Sequence, residues 1–293
     1  MKRNIFAVMM LAAATLMTVG CNKEKEEITD LPDSQPKLCR VYQTGSSLLL
    51  RQNISTGEWD TVSSTDNPRT LIYEFYYTGN RLDSLLQTNG IVSFSYDDQG
   101  RIIHSESFDH LWSVDYFYDG EGNLSRTVDY RTERNGDTNS VETIEYTWVG
   151  GHLQQSESIV VADTNTIHNI HAYTWNGDRL VATDRYSLNR NGSCDTVSYK
   201  YDITSVKNPL CGIVLLQRPS QIFSFTNEGF EGLSPYIMSR ITGGPSGNDT
   251  INFEYTTLDD RITSIHQTYE QESSAGPISM RYSTDAKFEF EYK

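Results

Sequence analysis

Six histidines, four cysteines and four tryptophans are the residues best suited to chemistry in this chain of 293 residues, and their spacing assigns little of it. In Ile167-His168-Asn169-Ile170-His171 two histidines lie three apart. On a strand that spacing puts them on opposite faces, so they make no shared metal site. No CxxC pair, HExxH, GxSxG, phosphate loop or dinucleotide fingerprint occurs. Asp97-Asp98 and Asp259-Asp260 are paired carboxylates, but a calcium site needs about six to eight oxygens. Their turn propensity accounts for them without a metal. Trp59 and Trp112 stand outside the repeating pattern described below and are the candidates for stacking on a sugar ring. Trp148 and Trp175 stand inside it, where packing explains them. No catalytic residue, cofactor or metal is assigned, and the chain is expected not to be an enzyme.

The amino terminus is more specific. Lys2 and Arg3 precede an uncharged apolar run, Ile5 to Val19, which matches a secretory signal core and is short for a membrane span. It ends in Thr18-Val19-Gly20-Cys21, which resembles the lipobox of bacterial lipoproteins, with Thr18 where that pattern usually has Leu. The resemblance implies cleavage before Cys21 and acylation of its thiol. Residues 1–20 are then a signal peptide and residues 21–37 an acylated cysteine with a polar tether that cannot bury enough to order itself. Lys23-Glu24-Lys25-Glu26-Glu27 resembles the acidic tag that sends Bacteroides-type lipoproteins to the outer face. The expected location is the outer membrane, exposed at the cell surface, with the periplasmic face as the alternative. The membrane is then a partner through the lipid. Nucleic acid is not one: Lys+Arg number 24 against 39 Asp+Glu, and losing Lys2 and Arg3 leaves a net charge of −17. Cys39, Cys194 and Cys211 remain, an odd number that allows at most one disulfide. Cys194–Cys211 and free thiols are both open readings.

The body alternates with period two, as in Thr143-Ile144-Glu145-Tyr146-Thr147-Trp148 and Lys287-Phe288-Glu289-Phe290-Glu291-Tyr292. That period predicts strands with one covered face. A unit recurs: aromatic, any residue, aromatic, a Gly-containing turn, then Arg or Asn and an aliphatic. Copies are Phe75-Tyr76-Tyr77-Thr78-Gly79-Asn80-Arg81-Leu82, Phe94 to Ile102, Tyr116 to Leu124, Tyr146 to Leu153 and Tyr173 to Leu180. A degraded copy begins at Tyr199-Lys200-Tyr201, and Phe253-Glu254-Tyr255 starts another that reaches Ile262. Each interval between copies holds two strands and two turns, a β-hairpin. The cation after each turn is placed to stack on the preceding ring. The expectation is one all-β domain over residues 38–293, about 12–16 antiparallel strands in consecutive hairpins. They form a large curved sheet or a barrel-like structure with a soluble body.

Phe94-Ser95-Tyr96-Asp97 with Gly100-Arg101-Ile102 resembles a YD (Rhs-like) repeat. The chain as a whole resembles a Bacteroides-type family of secreted lipoproteins of unknown function, for which a porin-like β-fold is implied. That likeness rests on the lipobox, the hairpin units, and Tyr201-Asp202 followed by Asn208-Pro209-Leu210 and Ser239-Arg240-Ile241-Thr242. It supplies no activity and no site residues. A membrane-spanning barrel is disfavoured, because strands such as Asp129-Tyr130-Arg131-Thr132-Glu133-Arg134 lack an apolar band.

Residues 203–247 break the rhythm and hold four of the eight prolines. Within them Leu210 to Leu216 reads as a plug at one end of the sheet, or as a binding lip. Asp60-Thr61-Val62, Asp83-Ser84-Leu85, Asp195-Thr196-Val197 and Asp249-Thr250-Ile251 resemble an O-glycosylation acceptor, which nominates Thr61, Ser84, Thr196 and Thr250. The same tripeptide is also a turn entering a strand. The expected role is a non-enzymatic surface or periplasmic binding or scaffold protein, with glycans or envelope proteins as partners. The alternative is a glycan-acting hydrolase or a glycan-binding accessory protein. The anchor is directly testable. Cys21→Ser should move the protein from the membrane fraction to the soluble one and abolish palmitate labelling; retention of either removes the lipobox reading.

Overall fold

The alternating runs fold as strands throughout. The computed structural model describes residues 37–293 except 88–89, 134–136, 163–164, 189–192, 209–233, 245–248, 260 and 276–277. In chain order the strands are β1 (Leu38–Gln52), β2 (Trp59–Thr78), β3 (Arg81–Gln87), β4 (Gly90–Tyr96), β5 (Ile102–Ser107), β6 (Trp112–Tyr118), β7 (Leu124–Thr132) and β8 (Thr138–Val149). They continue with β9 (His152–Ala162), β10 (Asn165–Asn176), β11 (Arg179–Leu188), β12 (Cys194–Lys207), β13 (Tyr236–Gly243), β14 (Asp249–Leu258), β15 (Arg261–Ala275) and β16 (Ile278–Tyr292). Every strand pairs antiparallel with its sequence neighbour, and β1 pairs with β16, so the sheet closes as a barrel rather than remaining an open curved sheet. The closing pair behaves as an eighth hairpin whose turn is replaced by the two chain ends. Lys37 N donates to Lys293 O at 2.7 Å and Lys293 N to Lys37 O at 2.9 Å. Ile203 to Lys207 continue β12, and Tyr236 to Gly243 form β13, so regular structure reaches into the span read as irregular. The Leu210–Leu216 run lies outside the described residues.

The recurring turns use glycine where the backbone demands it. Gly79 and Gly177 have φ of 59° and 61° in the two-residue loops Gly79-Asn80 and Gly177-Asp178. Positive φ there matches the twist of the flanking strands. In the longer turn after β4, Asp97 Oδ1 accepts from Gln99 N at 2.9 Å and Arg101 N at 2.8 Å, and Oδ2 pairs with Arg101 at 2.6 Å. That network accounts for the first acid of the Asp97-Asp98 pair as a turn former.

Just after each such turn, the same irregularity recurs. The register skips one residue at Cys39, Asp83, Ile103, Ser125, Gln154, Val181, Ser239 and Thr263, once in each of the eight hairpins. A bulge turns two residues spaced by three onto the same face. Leu82 and Leu85, Ile102 and Ser105, Leu153 and Ser156, and Leu180 and Thr183 are therefore all buried on the inside of the barrel. The ladder between successive hairpins stops short of these bulges. Between β3 and β4 its last registered pair toward the turns is Ser84↔Ser93, and between β9 and β10 it is Gln155↔Ala172.

Side chains close those seams. The second ring of the next unit donates to the carbonyl before the bulge: Tyr96 to Leu82 at 2.5 Å, Tyr118 to Ile102 at 2.7 Å, Trp148 to Leu124 at 2.7 Å, Trp175 to Leu153 at 2.7 Å and Tyr292 to Ile262 at 2.9 Å. Burial pushes the Tyr96, Tyr118 and Tyr292 phenols up to about 12, so they remain donors at any physiological pH. The cation after each turn covers the ring of the following unit, not the preceding one as the sequence suggested. Arg81 lies 4.7 Å from the Tyr96 ring, Arg101 4.5 Å from Tyr118 and Arg261 6.0 Å from Tyr292. The following ring is the one that leans across the open seam toward that residue.

The first ring of each unit meets the residue three beyond the aliphatic of the preceding hairpin, and the two are chemically matched. Tyr116 pairs its hydroxyl with Ser105 at 3.0 Å, Tyr146 with Thr127 at 3.2 Å, Tyr173 with Ser156 at 2.9 Å and Tyr201 with Thr183 at 3.0 Å. Where the ring is phenyl, the residue at that same diagonal place is aliphatic: Val41 for Phe75, Leu85 for Phe94, Ile241 for Phe253 and Ile265 for Phe290, each ring standing two residues along from the registered partners Tyr73, Val92, Ile251 and Phe288. Tyr201 thus holds the first-ring place in β12, and Ile203 the second. Ser156→Val should cost about 1–3 kcal/mol by stranding a buried phenol. Adding Tyr173→Phe should restore most of that loss in chemical denaturation; additive losses would show that the hydroxyl pair is not coupled.

Candidate functional site

Alternation and closure divide the wall cleanly. Near the turn end the inner face is apolar and packed, with Leu85, Leu180, Ile241 and Ile262 essentially inaccessible. The outer face carries Glu145, Lys200, Asp202 and Glu254 at positions alternating with buried Ile144, Tyr199, Tyr201 and Phe253. Outer histidines are paired with acids, as His104 is with Asp115 at 2.7 Å and His168 with Glu157 at 2.6 Å. A lysine facing lipid at mid-membrane costs about 2–4 kcal/mol, so this outer face suits water and not hydrocarbon.

The inner wall has two unlike halves. The four Tyr–Ser/Thr pairs are consecutive and line the arc from β5 to β12; the four Phe–aliphatic pairs line the rest. One step farther from the turns, the hydroxyl-lined arc carries charge. Asp129 on β7 is registered directly opposite Glu142 on β8, and His171 on β10 directly opposite Arg185 on β11. Between them Ser158 on β9 donates to Glu142 Oε1. Trp112 on β6 donates from Nε1 to Asp129 Oδ2 at 2.9 Å, and Arg131 Nε lies 3.9 Å from Asp129 Oδ1. At the equivalent height the other half presents Gln267, Ala286, Gln43, Tyr73 and Val92, with a lone carboxylate, Asp249 on β14, beside Tyr269.

This belt has partners for both signs and a fixed aromatic. Asp129 is almost completely buried, while Trp112, Arg131, Glu142, His171 and Arg185 are half-buried on the inside. Burial, with the Arg185 guanidinium beside it, depresses His171 to about 4. The ring is therefore neutral at physiological pH. Ser158 is bonded to a carboxylate rather than to a histidine, so no nucleophile–base–orienter chain is assembled. Among the described residues no group of three or more His, Cys, Asp or Glu could hold a metal ion.

The sequence candidates land in different places. Trp112 is in the belt. Trp59 is outside it, at the start of β2, with the Arg281 guanidinium 4.7 Å over its ring. Thr61 and Thr196 are exposed on β2 and β12, and Ser84 and Thr250 are half-buried on β3 and β14. His168 and His171 point to opposite faces, outward and inward. Cys39 is a bulge residue whose Sγ contacts Glu291 O at 3.1 Å, and Cys194 is an exposed free thiol. Cys21 and Cys211 lie outside the described residues. Asp129, Arg131, Glu142, His171 and Arg185 were not singled out from sequence, because polar residues alternate on both faces and only closure shows which face is enclosed.

No family model matches the chain, and no curated protein matches its sequence. Among solved structures it is similar to a porin-like protein from Bacteroides vulgatus ATCC 8482, at 12% identity and a TM-score of 0.46, over 73% of this chain and 99% of that one. So distant a likeness carries nothing about function.

The neutral His171 gives a measurable signature. Its folded pKa lies below the usual 6.5, so acid protonates the unfolded chain first. Its effect is nil above about pH 6.5, grows as pH falls toward 4, and levels off below. Wild type should lose about 1–3 kcal/mol more than His171→Gln across that window. Parallel stability curves for the two proteins would contradict the inward, desolvated placement.

Proposed function

We propose that this protein is a lipid-anchored envelope lipoprotein, of the YD-repeat-bearing kind its sequence resembles, that binds a polar ligand on the inner wall of its barrel without transforming it. One observation carries the reading: Asp129, Arg131, Glu142, His171 and Arg185 share one arc of the inner wall, above the consecutive Tyr–Ser/Thr hydroxyl pairs, while Asp249 on β14 stands apart beside Tyr269. Buried hydroxyl pairs add little net stability over apolar contacts, because each hydrogen bond replaces one to water. Their confinement to the wall beneath the charges suits a surface held in place for recognition.

The anchor lies at one end of the barrel. Leu38 begins β1 at the turn end, and Lys37 covers the Tyr77 ring there, 5.7 Å from its centroid. A tether from Cys21 spans at most about 60 Å when fully extended. It attaches at the turn end, and the opposite rim, with its long β1, β2, β15 and β16 wall, is the end without the tether. The outer-membrane location, at the cell surface, and the lipid at Cys21 belong to this proposal. Glycosylation at Thr61 or Thr196, both exposed, is compatible with that attachment.

A glycan-acting hydrolase is the second reading, favoured by the side-by-side carboxylates of Asp129 and Glu142. The test is thermal-shift screening of residues 22–293 against three panels: oligosaccharides, amino acids with short peptides, and nucleotides. At least one panel should stabilise the wild-type protein, and Glu142→Gln should abolish the shift. No stabiliser in any panel, or one indifferent to Glu142→Gln, defeats the lumen site. Product formation from an oligosaccharide would establish the hydrolase instead.

A further inference from the structure

We infer that the ligand of this wall is an uncharged polyhydroxylated molecule, an oligosaccharide, held by Trp112, Glu142, Arg131 and Arg185, with buried Asp129 fixing the Trp112 ring. The inference rests on the reading of the belt as a ligand site and adds the ligand class.

Charge balance disfavours a ligand of one sign. Two carboxylates and two guanidiniums share the arc: Arg131 and Asp129 on β7, Glu142 on the adjacent β8, and Arg185 on β11, two strands beyond β9. An anion placed on Arg131 meets the Asp129 carboxylate, which lies only 3.9 Å from that guanidinium. A cation placed on the carboxylates meets the guanidinium in the same way. A sugar hydroxyl donates and accepts at once, so it uses both sets without leaving a charge unpaired. Hydrogen bonds to charged groups are also the stronger ones, at about 1.5–3 kcal/mol.

The aromatic element is already oriented. The Nε1 bond to Asp129 fixes the Trp112 indole, and that carboxylate is itself almost fully buried. A fixed ring loses little rotamer freedom when a pyranose packs on it. Trp112 has no cation stacked upon it among the described residues, whereas Trp59 is covered by Arg281. Ser158 does for Glu142 what Trp112 does for Asp129, holding one oxygen and leaving the carboxylate fixed in direction.

Isothermal titration of residues 22–293 with neutral hexasaccharides of glucose, mannose, xylose and N-acetylglucosamine tests this, beside oligogalacturonate and chitosan oligomers as charged controls. At least one neutral oligomer should bind, with Trp112→Ala and Glu142→Gln each weakening it about tenfold or more. Trp59→Ala should leave affinity unchanged. Circular dichroism separates loss of binding from loss of fold. If Trp112→Ala does not fold, Glu142→Gln and Arg131→Gln carry the test, with quenching of tryptophan fluorescence by the sugar as the independent readout. Binding confined to the charged oligomers, or no binding of any oligomer, overturns the ligand class while leaving the lumen site standing. Neutral binding untouched by all the belt variants overturns both.

Discussion

A bulge placed one residue past the same aliphatic in every hairpin is the constraint on which this barrel depends. It sends two residues spaced by three to the inside and ends the ladder to the neighbouring hairpin. It also leaves a carbonyl without a backbone donor at the edge of an apolar interior. An orphaned buried carbonyl costs about 1–3 kcal/mol, so something must reach it. The indole or phenol of the next unit does so at Leu82, Ile102, Leu124, Leu153 and Ile262. The guanidinium of the preceding unit then covers that ring where Arg81, Arg101 and Arg261 stand. Turn, bulge, ring and cation thus form one device repeated around the circumference. Closure needs the two ends of the chain to supply its last copy, with Lys37, Leu38 and Tyr292 standing in for a turn and its flanks.

The polarity of the wall is the reverse of a membrane barrel. Apolar side chains point inward and charges such as Lys200 and Glu254 outward, so stability comes from burial inside the ring. An apolar interior would have served that purpose, and near the turns half of the circumference has phenyl rings and aliphatics at these places. The other half substitutes Tyr for Phe and Ser or Thr for an aliphatic, always together. A buried polar pair is tolerable only when both members are satisfied, so the paired substitution is what physics requires once polarity is introduced there. That this arc also bears Asp129, Glu142, His171 and Arg185 gives it a chemical character the apolar arc lacks.

Much of this was legible from residues alone. Period-two alternation announced strands, Gly-Asn and Gly-Asp marked hairpin turns, and the recurrence of aromatic–x–aromatic set the unit; all are consequences of local backbone geometry. The Tyr–Ser/Thr and Phe–aliphatic matching was present too, as a covariation among the chain's own repeats, and would have revealed the register. It was hidden because the matched residues belong to successive units and a bulge alters their spacing. Trp112 stood out because it broke the repeat, while Asp129 and Glu142 were two acids among 39.

What the sequence determined by itself was therefore whatever short-range physics controls: strands, turns and hairpin units. Tertiary structure alone decided that β1 meets β16, that Arg81, Arg101 and Arg261 cover the following ring, and which polar residues face the enclosed side. The physical reason is that a strand's two faces are equivalent until the sheet closes. Closure depends on pairing residues some 250 positions apart, as Val41 with Phe290, whose partnership no local pattern encodes.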